Sequence, residues 1–568
     1  MSMMPIIEFE NFSFQYYSQA EPTLHEINLK IQAGEKILIV GPSGSGKSTL
    51  GHCLNGLIPF YYKGLAEGSL KIKGVETRAL DIFQLSKVVG TVLQDSDGQF
   101  VGLTAGEDIA FAMENDCIAH DEMHRRVGRV AEMVDMGSFL ASSPYELSGG
   151  QKQRTALAGV LIDEVEILLF DEPLANLDPA TGKTAIEIID EIHQQSGKTI
   201  VIIEHRLEDV LHRAVDRVIM INEGRIVADM DPHTLVASGV LAENGIREPL
   251  YVTALKYAGV EVTPGMKAGH IWSLDTAGAN AALRSWQRSV RPVIRENRNP
   301  SALRIEELSF SYDGVRAVLE RVDIDIRGGE MVSIVGKNGA GKSTLAKVLC
   351  GFVRQDKGEV LCDGRSLAGK SIKERAEMIG LVMQNPNQMI SKALIYDEVA
   401  LGLRMRKVPE DEIKGRVEKV LKICGLAPFM SWPIAALSYG QKKRVTIASI
   451  LVLDPRILIL DEPTAGQDYR HYTEIMEFLR EINRLGVTII LITHDMHLML
   501  EYTPRAIVLA GGVKVADRRA SAVLTDHSVI QEANLKETSL YYLAQMAGMT
   551  DETAFVQSFI DYERCVSA

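Results

Sequence analysis

Two glycine-rich segments have the residue types and spacing of a phosphate-binding loop. Each reads G-x-x-x-x-G-K-S-T, follows an apolar run and precedes a helix-like segment. Glycines in such a loop let backbone N–H groups wrap phosphate oxygens, while the lysine reaches the terminal phosphates and the serine hydroxyl ligates Mg²⁺. The pattern predicts two sites for a nucleoside triphosphate with Mg²⁺, in which Ser48 and Ser343 are metal ligands. The predicted nucleotide contacts are Gly41, Ser43, Gly44, Gly46, Lys47, Ser48, Thr49, Gly336, Asn338, Gly339, Gly341, Lys342, Ser343 and Thr344.

An acidic pair follows an apolar, strand-like run downstream of each loop. The pairs are Asp171-Glu172 and Asp461-Glu462. An aspartate at the C-terminal end of a strand can hold Mg²⁺, and the next glutamate can polarise an attacking water. The structural alternative is an acidic pair that caps a turn, which the position downstream of a phosphate loop disfavours. We therefore expect Asp171 and Asp461 to be metal ligands and Glu172 and Glu462 to be catalytic.

These motifs recur because the chain contains one internal repeat. The second set follows the first in the same order, at a nearly constant distance of about 290 residues. We predict a first nucleotide-binding domain at 1–238, a helical extension and linker at 239–302, a second nucleotide-binding domain at 303–524 and a C-terminal helical extension at 525–568. In each copy, strand-like runs alternate with amphipathic stretches, which predicts an α/β core with a mainly parallel sheet. Period-two alternation at the start of each copy predicts an antiparallel β edge subdomain.

Composition excludes several other classes of protein. The formal net charge of −14 argues against a nucleic-acid partner, since such binding needs lysine and arginine to neutralise phosphates. The apolar runs have the length of buried strands rather than of membrane-spanning helices. The six cysteines are scattered without a C-x-x-C pair, as expected of reduced cytosolic thiols. The N-terminus begins with a strand-like segment, which argues against a secretory signal.

Residues 147–154 (LSGGQKQR) and 437–444 (LSYGQKKR) resemble the signature of ABC ATPases, and the resemblance covers both copies. It implies tandem P-loop domains with a helical signature subdomain, ATP hydrolysis, and two halves that pair within one chain as a head-to-tail sandwich. A serine hydroxyl and glycine N–H groups at a helix N-terminus suit a γ-phosphate. The signature positions predicted to contact ATP are Ser148, Gly150, Gln151, Ser438, Gly440 and Gln441.

The same resemblance assigns four further pairs of positions. An aromatic residue that stacks on adenine matches Tyr16 and Tyr312, with Tyr17 as a rival. The glutamine that senses Mg²⁺ and contacts the membrane partner matches Gln94 and Gln384, counted as catalytic and metal-binding. The loop that crosses between halves matches Asp178 and Asp468, and the catalytic switch histidine matches His205 and His494. One departure is Tyr439, which stands where the first copy has Gly149. It predicts unequal turnover at the site built from Lys47 and Ser438, without loss of ATP binding.

A second glutamine follows the sensing glutamine in both copies, within residues 94–102 and 384–390. Together with Glu204-His205-Arg206, this is similar to the ATPases of energy-coupling factor transporters, above all to fused double ATPases, some of them associated with thiamine precursors. The resemblance implies an importer of a vitamin, vitamin precursor or metal ion. Its partners would be a transmembrane coupling protein and a small substrate-binding membrane subunit. The chain would then be peripheral, at the cytoplasmic face of the cell membrane.

Two alternatives remain open from the sequence. The first is a double ATPase of another import class, such as the sugar type, with the same chemistry and different partners. The second is a soluble ribosome-associated ABC protein, for which the basic run between Arg284 and Arg298 could be a linker. Five spread charges are typical of a solvated helix face, and the acidic net charge and the glutamine-containing loop disfavour the ribosomal alternative.

Overall fold

A computed structural model describes residues 4–93, 96–175, 177–293 and 297–566. The described residues form two compact units. The first runs to residue 286 and also includes residues 468–470 and 546–548, and the second comprises the remainder. In the described ranges, no helix combines the length and the apolar character needed to cross a membrane.

The first copy contains ten strands and twelve α-helices among its described residues. The strands are β1 (Ile7–Tyr16), β2 (Leu24–Ile31), β3 (Lys36–Val40), β4 (Gly64–Ile72), β5 (Val75–Glu76), β6 (Val89–Val92), β7 (Ile167–Asp171), β8 (Thr199–Ile203), β9 (Arg217–Asn222) and β10 (Arg225–Met230). The helices are α1 (Lys47–Leu54), α2 (Leu57–Phe60), α3 (Ile82–Ser86), α4 (Ala105–Asn115), α5 (His120–Met133), α6 (Gly149–Leu161), α7 (Pro179–Ser196), α8 (Leu207–Val210), α9 (Pro232–Ser238), α10 (Val240–Glu243), α11 (Leu250–Tyr257) and α12 (Asn280–Ser289).

The second copy repeats these elements in the same order, except that α2 has no counterpart among its described residues. Its strands are β11 (Ser301–Ser311), β12 (Ala317–Arg327), β13 (Met331–Val335), β14 (Lys357–Cys362), β15 (Arg365–Ser366), β16 (Ile379–Val382), β17 (Ile457–Asp461), β18 (Thr488–Ile492), β19 (Arg505–Ala510) and β20 (Val513–Arg518). Its helices are α13 (Lys342–Cys350), α14 (Ile372–Arg375), α15 (Ile395–Met405), α16 (Glu410–Ile423), α17 (Tyr439–Leu451), α18 (Tyr469–Arg484), α19 (Met496–Tyr502), α20 (Ala520–Val523), α21 (His527–Ala533), α22 (Ser539–Met546) and α23 (Glu552–Val566).

Each copy is built around a six-stranded sheet in which only the last strand pair is antiparallel. The strand order is β10-β9-β3-β8-β7-β6 in the first copy and β20-β19-β13-β18-β17-β16 in the second. Strands β3 and β8 are buried along their whole length, as expected of continuous Ile, Leu and Val runs covered on both faces. The predicted α/β class with a mainly parallel core is confirmed.

A separate four-stranded antiparallel sheet forms the predicted edge subdomain of each copy, in the order β2-β1-β4-β5 and β12-β11-β14-β15. Its inner face carries Phe9, Phe14 and Ile27, and packs with the phosphate-loop strand and helix in one apolar core. The alternation of buried and exposed residues along β1 is what the period-two pattern predicted. The sheet therefore supports the phosphate loop from one side.

Helices follow the last strand of each copy, as expected of small helical extensions. In the first copy these are α9 to α12, and in the second α20 to α23. The basic run places Arg284 and Arg288 on α12, whose Leu283 and Trp286 side chains are buried. Arg295 lies outside the described residues. The domain boundaries at 238, 302 and 524 stay predictions.

Candidate active site

The phosphate loops connect β3 to α1 and β13 to α13, at the carboxyl ends of central strands. Glycine is required where each loop begins, because a Cβ atom on Gly41 would lie 2.1 Å from the carbonyl oxygen of Ile221. The equivalent Cβ on Gly336 would lie 2.0 Å from the carbonyl oxygen of Leu509. No side chain fits at these distances, so the loop backbone packs directly on the neighbouring strand. The opposite side of the loop backbone is then the side that can face a ligand.

The loop lysines are buried and turn back over their own loops. Lys47 Nζ donates to the carbonyl oxygens of Gly41 (2.7 Å) and Pro42 (2.8 Å). Lys342 Nζ makes the same pair of contacts, at 2.6 Å and 3.0 Å, in the second loop. Burial lowers the pKa of Lys47, while the carboxylate of Glu172 opposes that effect. Both ammonium groups thus lie on the concave side of the loop, where they could contact the phosphate oxygens of a ligand.

The residues around each loop fit a magnesium ion that is shared with phosphate. Asp171 ends β7, and its buried Oδ1 atom has no hydrogen-bond partner among the described residues. Burial, with the neighbouring Glu172 carboxylate, raises the pKa of Asp171 to about 6. In the second copy Asp461 is hydrogen-bonded to Ser343. The described residues contain no cluster of three or more His, Cys, Asp or Glu suited to a metal.

The two predicted catalytic glutamates share a strained backbone conformation. Glu172 has φ 50° and Glu462 has φ 47°, in the left-handed region that such side chains rarely adopt. Each is held there because its N–H donates to a neighbouring strand, to the carbonyl oxygen of Ile203 and of Ile492 respectively, both at 2.8 Å. Strain that is fixed by surrounding structure is typical of active sites.

Each predicted switch histidine lies beside the glutamate of its own copy. His494 Nδ1 is 2.7 Å from Glu462 Oε1, and Thr493 Oγ1 donates to the other carboxylate oxygen at 3.3 Å. In the first copy the corresponding distance, from His205 Nδ1 to Glu172 Oε1, is 3.7 Å. The two copies therefore position the same pair of residues differently.

Glu204 is a site residue for which the sequence predicted no role. It is fully buried and stands where the second copy has Thr493. Its carboxylate accepts from the N–H groups of His205 (2.9 Å), Arg206 (3.3 Å) and Leu174 (3.3 Å). Burial favours the neutral imidazole, but the carboxylates of Glu204 and Glu172 outweigh it and raise the pKa of His205. The signal in the sequence was a charged residue directly after a wholly apolar strand, which needs partners to be buried.

The tyrosines predicted to stack on adenine lie next to the phosphate loops. Tyr16 Oη is 3.1 Å from Thr49 Oγ1, and Tyr312 Oη is 3.4 Å from Thr344 Oγ1. The rival Tyr17 is 70% exposed. The equivalent hydrogen bonds in the two copies favour Tyr16 and Tyr312 as the base-binding residues.

The signature serines begin the helices α6 and α17. Ser148 Oγ accepts from the N–H of Gln151 at 3.4 Å, and Ser438 Oγ accepts from that of Gln441 at 3.3 Å. The side-chain oxygen of each glutamine in turn accepts a hydrogen bond from the serine N–H, at 2.8 Å and 3.0 Å. These are complete capping boxes, so each signature is a well-formed helix N-terminus. Gly150 leaves no room for a side chain, because its Cβ would lie 2.4 Å from Thr181 Cγ2.

The remaining predicted positions lie at element boundaries. Asp178 caps α7 by accepting from the N–H of Thr181 at 2.9 Å, and Asp468 is buried immediately before α18. Gln384 is exposed, two residues after β16 ends. Gln94 lies outside the described residues. The second glutamine of the first copy, Gln99, accepts from the N–H of Leu93 (3.1 Å) and donates to the carbonyl oxygen of Thr91 (3.3 Å).

Fold and site together define a duplicated P-loop nucleotide-binding protein with a helical signature element in each copy. A family model described as "ABC transporter" matches residues 24–175 and 319–465, and one described as "ATP-binding cassette cobalt transporter" matches residues 238–310. The chain is 56% identical over 564 residues to a "Putative ABC transporter ATP-binding protein" of Clostridium perfringens, with 99% of each chain covered. A protein of the same description from Enterococcus faecalis is 55% identical over 563 residues, again with 99% of each covered.

Among solved structures, cbiO1 from Clostridium perfringens, described as part of the ABC transporter complex cbiONQ, is 38% identical to this chain. The match covers 41% of this chain and 94% of that one, with a TM-score of 0.38. On the family model and the full-length relatives, the chain belongs to the ABC transporter ATP-binding proteins. It is an ATPase that binds ATP and serves a membrane transporter.

Proposed function

We propose that this chain is the double ATPase of an energy-coupling-factor-type importer, with Mg²⁺ as the metal of both sites. It would act as a peripheral protein at the cytoplasmic face of the membrane. Its partners would be a transmembrane coupling protein and a small membrane subunit that binds a vitamin, a vitamin precursor or a metal ion. The family model that matches residues 238–310 is described as a cobalt transporter, which supports a metal ion as the solute among these three.

This proposal depends on the second glutamine, Gln99, of the segment 94–102, here called the sensing loop. Gln99 bonds to the backbone on both sides of Val92, the last residue of β6, and so ties the loop to the edge of the sheet. Holding Gln99 in place before a partner arrives reduces the ordering cost of binding at this residue. This is the segment that the resemblance assigns to the membrane partner.

The residues that follow the loop present apolar side chains in a fixed backbone. Val101 and Leu103 are 64% and 81% exposed. The N–H groups of Val101 and Gly102 donate to Asp108 Oδ1 at 2.8 Å and 3.1 Å, and that of Leu103 donates to Glu107 Oε2 at 2.9 Å. Exposed apolar side chains on an ordered backbone suit the end of a partner helix.

The proposal is tested by tagging the full-length chain, purifying it from native membranes and identifying the chains that come with it. A coupling protein together with a small membrane subunit is the expected result, and the ligand of that subunit names the solute. Recovery of two membrane domains without a small binding subunit would assign the chain to another import class. Recovery of ribosomes without a membrane protein would overturn the transport function and leave the ATPase in place.

A matched pair of variants tests the docking segment in the same experiment. L103D should lose the membrane chains while ATP binding by the soluble chain is retained, because a charge is desolvated at the contact. V315D makes the same change at a residue that is 90% exposed in the β11–β12 turn, and should retain the partners. Equal recovery with both variants would rule out this segment as the docking site.

A further inference from the structure

The second signature helix, α17, contacts two loops of its own copy through residues one turn apart. Tyr439 Oη donates to the carbonyl oxygen of Gln384 at 3.3 Å. Lys443 Nζ donates to the carbonyl oxygens of Glu462 (2.9 Å) and Pro463 (2.6 Å). Residues four apart lie on the same face of a helix, and Lys443 Nζ is 5.9 Å from the centre of the Tyr439 ring. One helix face therefore contacts two loops: the sensing loop, which begins at Gln384 (residues 384–390), and the catalytic loop, which follows Asp461 and contains Glu462 and Pro463.

Lys443 is an unusual residue to find in this position. Its exposed fraction is 1%, although lysine is almost never fully buried without a partner. Its ammonium group donates to the main-chain carbonyl oxygens of the predicted catalytic glutamate, Glu462, and of the next residue, Pro463. Removing those donors would leave buried carbonyl groups unpaired, which is unfavourable. The contact therefore constrains where Glu462 can lie relative to the helix.

The first copy has different residues at both positions. Gly149 replaces Tyr439 and has no side chain with which to reach the sensing loop. Space does not forbid a larger residue there, because the nearest atom to a Cβ on Gly149 would be Leu177 Cδ2 at 3.8 Å. Gln153 replaces Lys443 and donates to the carbonyl oxygen of Pro173. The first copy keeps the contact to the catalytic loop and lacks the tyrosine contact to the sensing loop.

We propose that Tyr439 and Lys443 are positioning residues of the second copy. Through them, the signature helix α17 moves together with Gln384 and Glu462 when nucleotide binds to that copy. The inference rests on the proposed assignment of Gln384 and Glu462 to the second nucleotide site. Movement of either loop is passed to Ser438 because the same helix face holds both loops. The link through the sensing loop is specific to the second copy, since Gly149 cannot make it.

The test is hydrogen exchange of the full-length chain with and without Mg²⁺ and the non-hydrolysable analogue AMP-PNP. A K47A background weakens binding at the first loop, so that the signal comes from nucleotide on the second loop. In K47A, nucleotide should slow exchange in peptides covering 336–344 and 438–444. In K47A/Y439F and K47A/K443M, protection of 336–344 should remain and that of 438–444 should be lost. The control K47A/Y145F removes the hydroxyl of a tyrosine that is 94% exposed and should behave like K47A.

A role confined to packing would raise exchange in both states and would not change the nucleotide-dependent difference. Retained protection of 438–444 in K47A/Y439F, with 336–344 also protected, would overturn the inference and leave the site assignment intact. Absence of protection at 336–344 in K47A itself would overturn the assignment of the second nucleotide site, and the inference with it.

Discussion

His494 Nδ1 lies 2.7 Å from Glu462 Oε1, a hydrogen bond that fixes the direction of the carboxylate. A base that polarises water must be held within hydrogen-bonding reach of the water, and a neighbour that orients it improves that geometry. In the first copy the histidine and glutamate are 3.7 Å apart, and the imidazole is also 3.4 Å from a second carboxylate, that of Glu204. The second copy therefore has the better preorganised pair.

Replacing both glutamates, E172Q with E462Q, should abolish turnover and retain unhydrolysed ATP. Glutamine keeps the shape of the side chain but cannot take up a proton, and loss of a general base costs about 10²–10⁴-fold in rate. Phosphate release and bound radiolabelled ATP measure the two effects on one preparation. Normal turnover in the double variant would refute the assignment of these residues as water-polarising groups.

The loop lysines should contribute unequally to turnover. K47A and K342A each remove a charge-assisted contact to phosphate, worth about 1.5–3 kcal/mol, and should weaken ATP binding at one loop. Because the pair of His494 and Glu462 is the better oriented, K342A should lower the total rate more than K47A. Tyr439 predicts the same order of losses, because this bulky residue of the second signature lies at the site built from Lys47 and Ser438, whose turnover it is expected to lower. Equal losses in steady-state hydrolysis would show that the two copies are equivalent.

The raised pKa of His205 should depend on Glu204. E204Q removes the carboxylate charge that raises the pKa of His205 most, so the imidazole should titrate at lower pH than in the wild-type chain. Histidine-selective NMR of the nucleotide-free chain measures the titration, with H205N to assign the signal. An unchanged His205 titration would show that Glu172 alone controls it.

The sign of the effect on stability follows from the same shift. A histidine whose folded-state pKa is raised contributes stability that is fully present below its unfolded value, about pH 6.5, and is lost as pH rises through the folded value. Wild type should therefore exceed E204Q in stability most clearly at low pH, and the difference should narrow as pH rises. Chemical denaturation at several pH values measures this trend.

Lys443 should give the opposite pH dependence. Burial lowers its pKa to about 8, although the carboxylates of Glu462 and Asp461 oppose the shift. The unfolded chain then binds more protons between about pH 8 and the ordinary lysine value near 10.4, so stability gained from this group rises with pH in that window. From pH 7 to 9.5, the free energy of unfolding of wild type should rise relative to that of K443M by on the order of 2 kcal/mol. K443R, which stays charged throughout, is the matched control.

The sequence was sufficient for the parts of the site that depend on local pattern. The phosphate loops, the strands ending at Asp171 and Asp461, and the paired sheets follow from glycine spacing and from continuous apolar runs, which constrain the backbone within a few residues. The role of Glu204 could not be predicted, because its carboxylate accepts from the N–H group of Leu174, which is 30 residues away in the sequence. Only the fold brings these two groups together. The contact of Tyr439 with Gln384 is of the same kind, since nothing in either segment specifies the other.

The capping boxes at Ser148 and Ser438 have a consequence for ligand recognition. In each, the serine oxygen uses a lone pair to accept from a glutamine N–H, so its own O–H proton remains available as a donor. The cap fixes the side-chain rotamer before any ligand arrives. The rotational freedom of the hydroxyl-bearing side chain is therefore lost during folding rather than during binding, and an incoming oxyanion meets a donor that is already oriented.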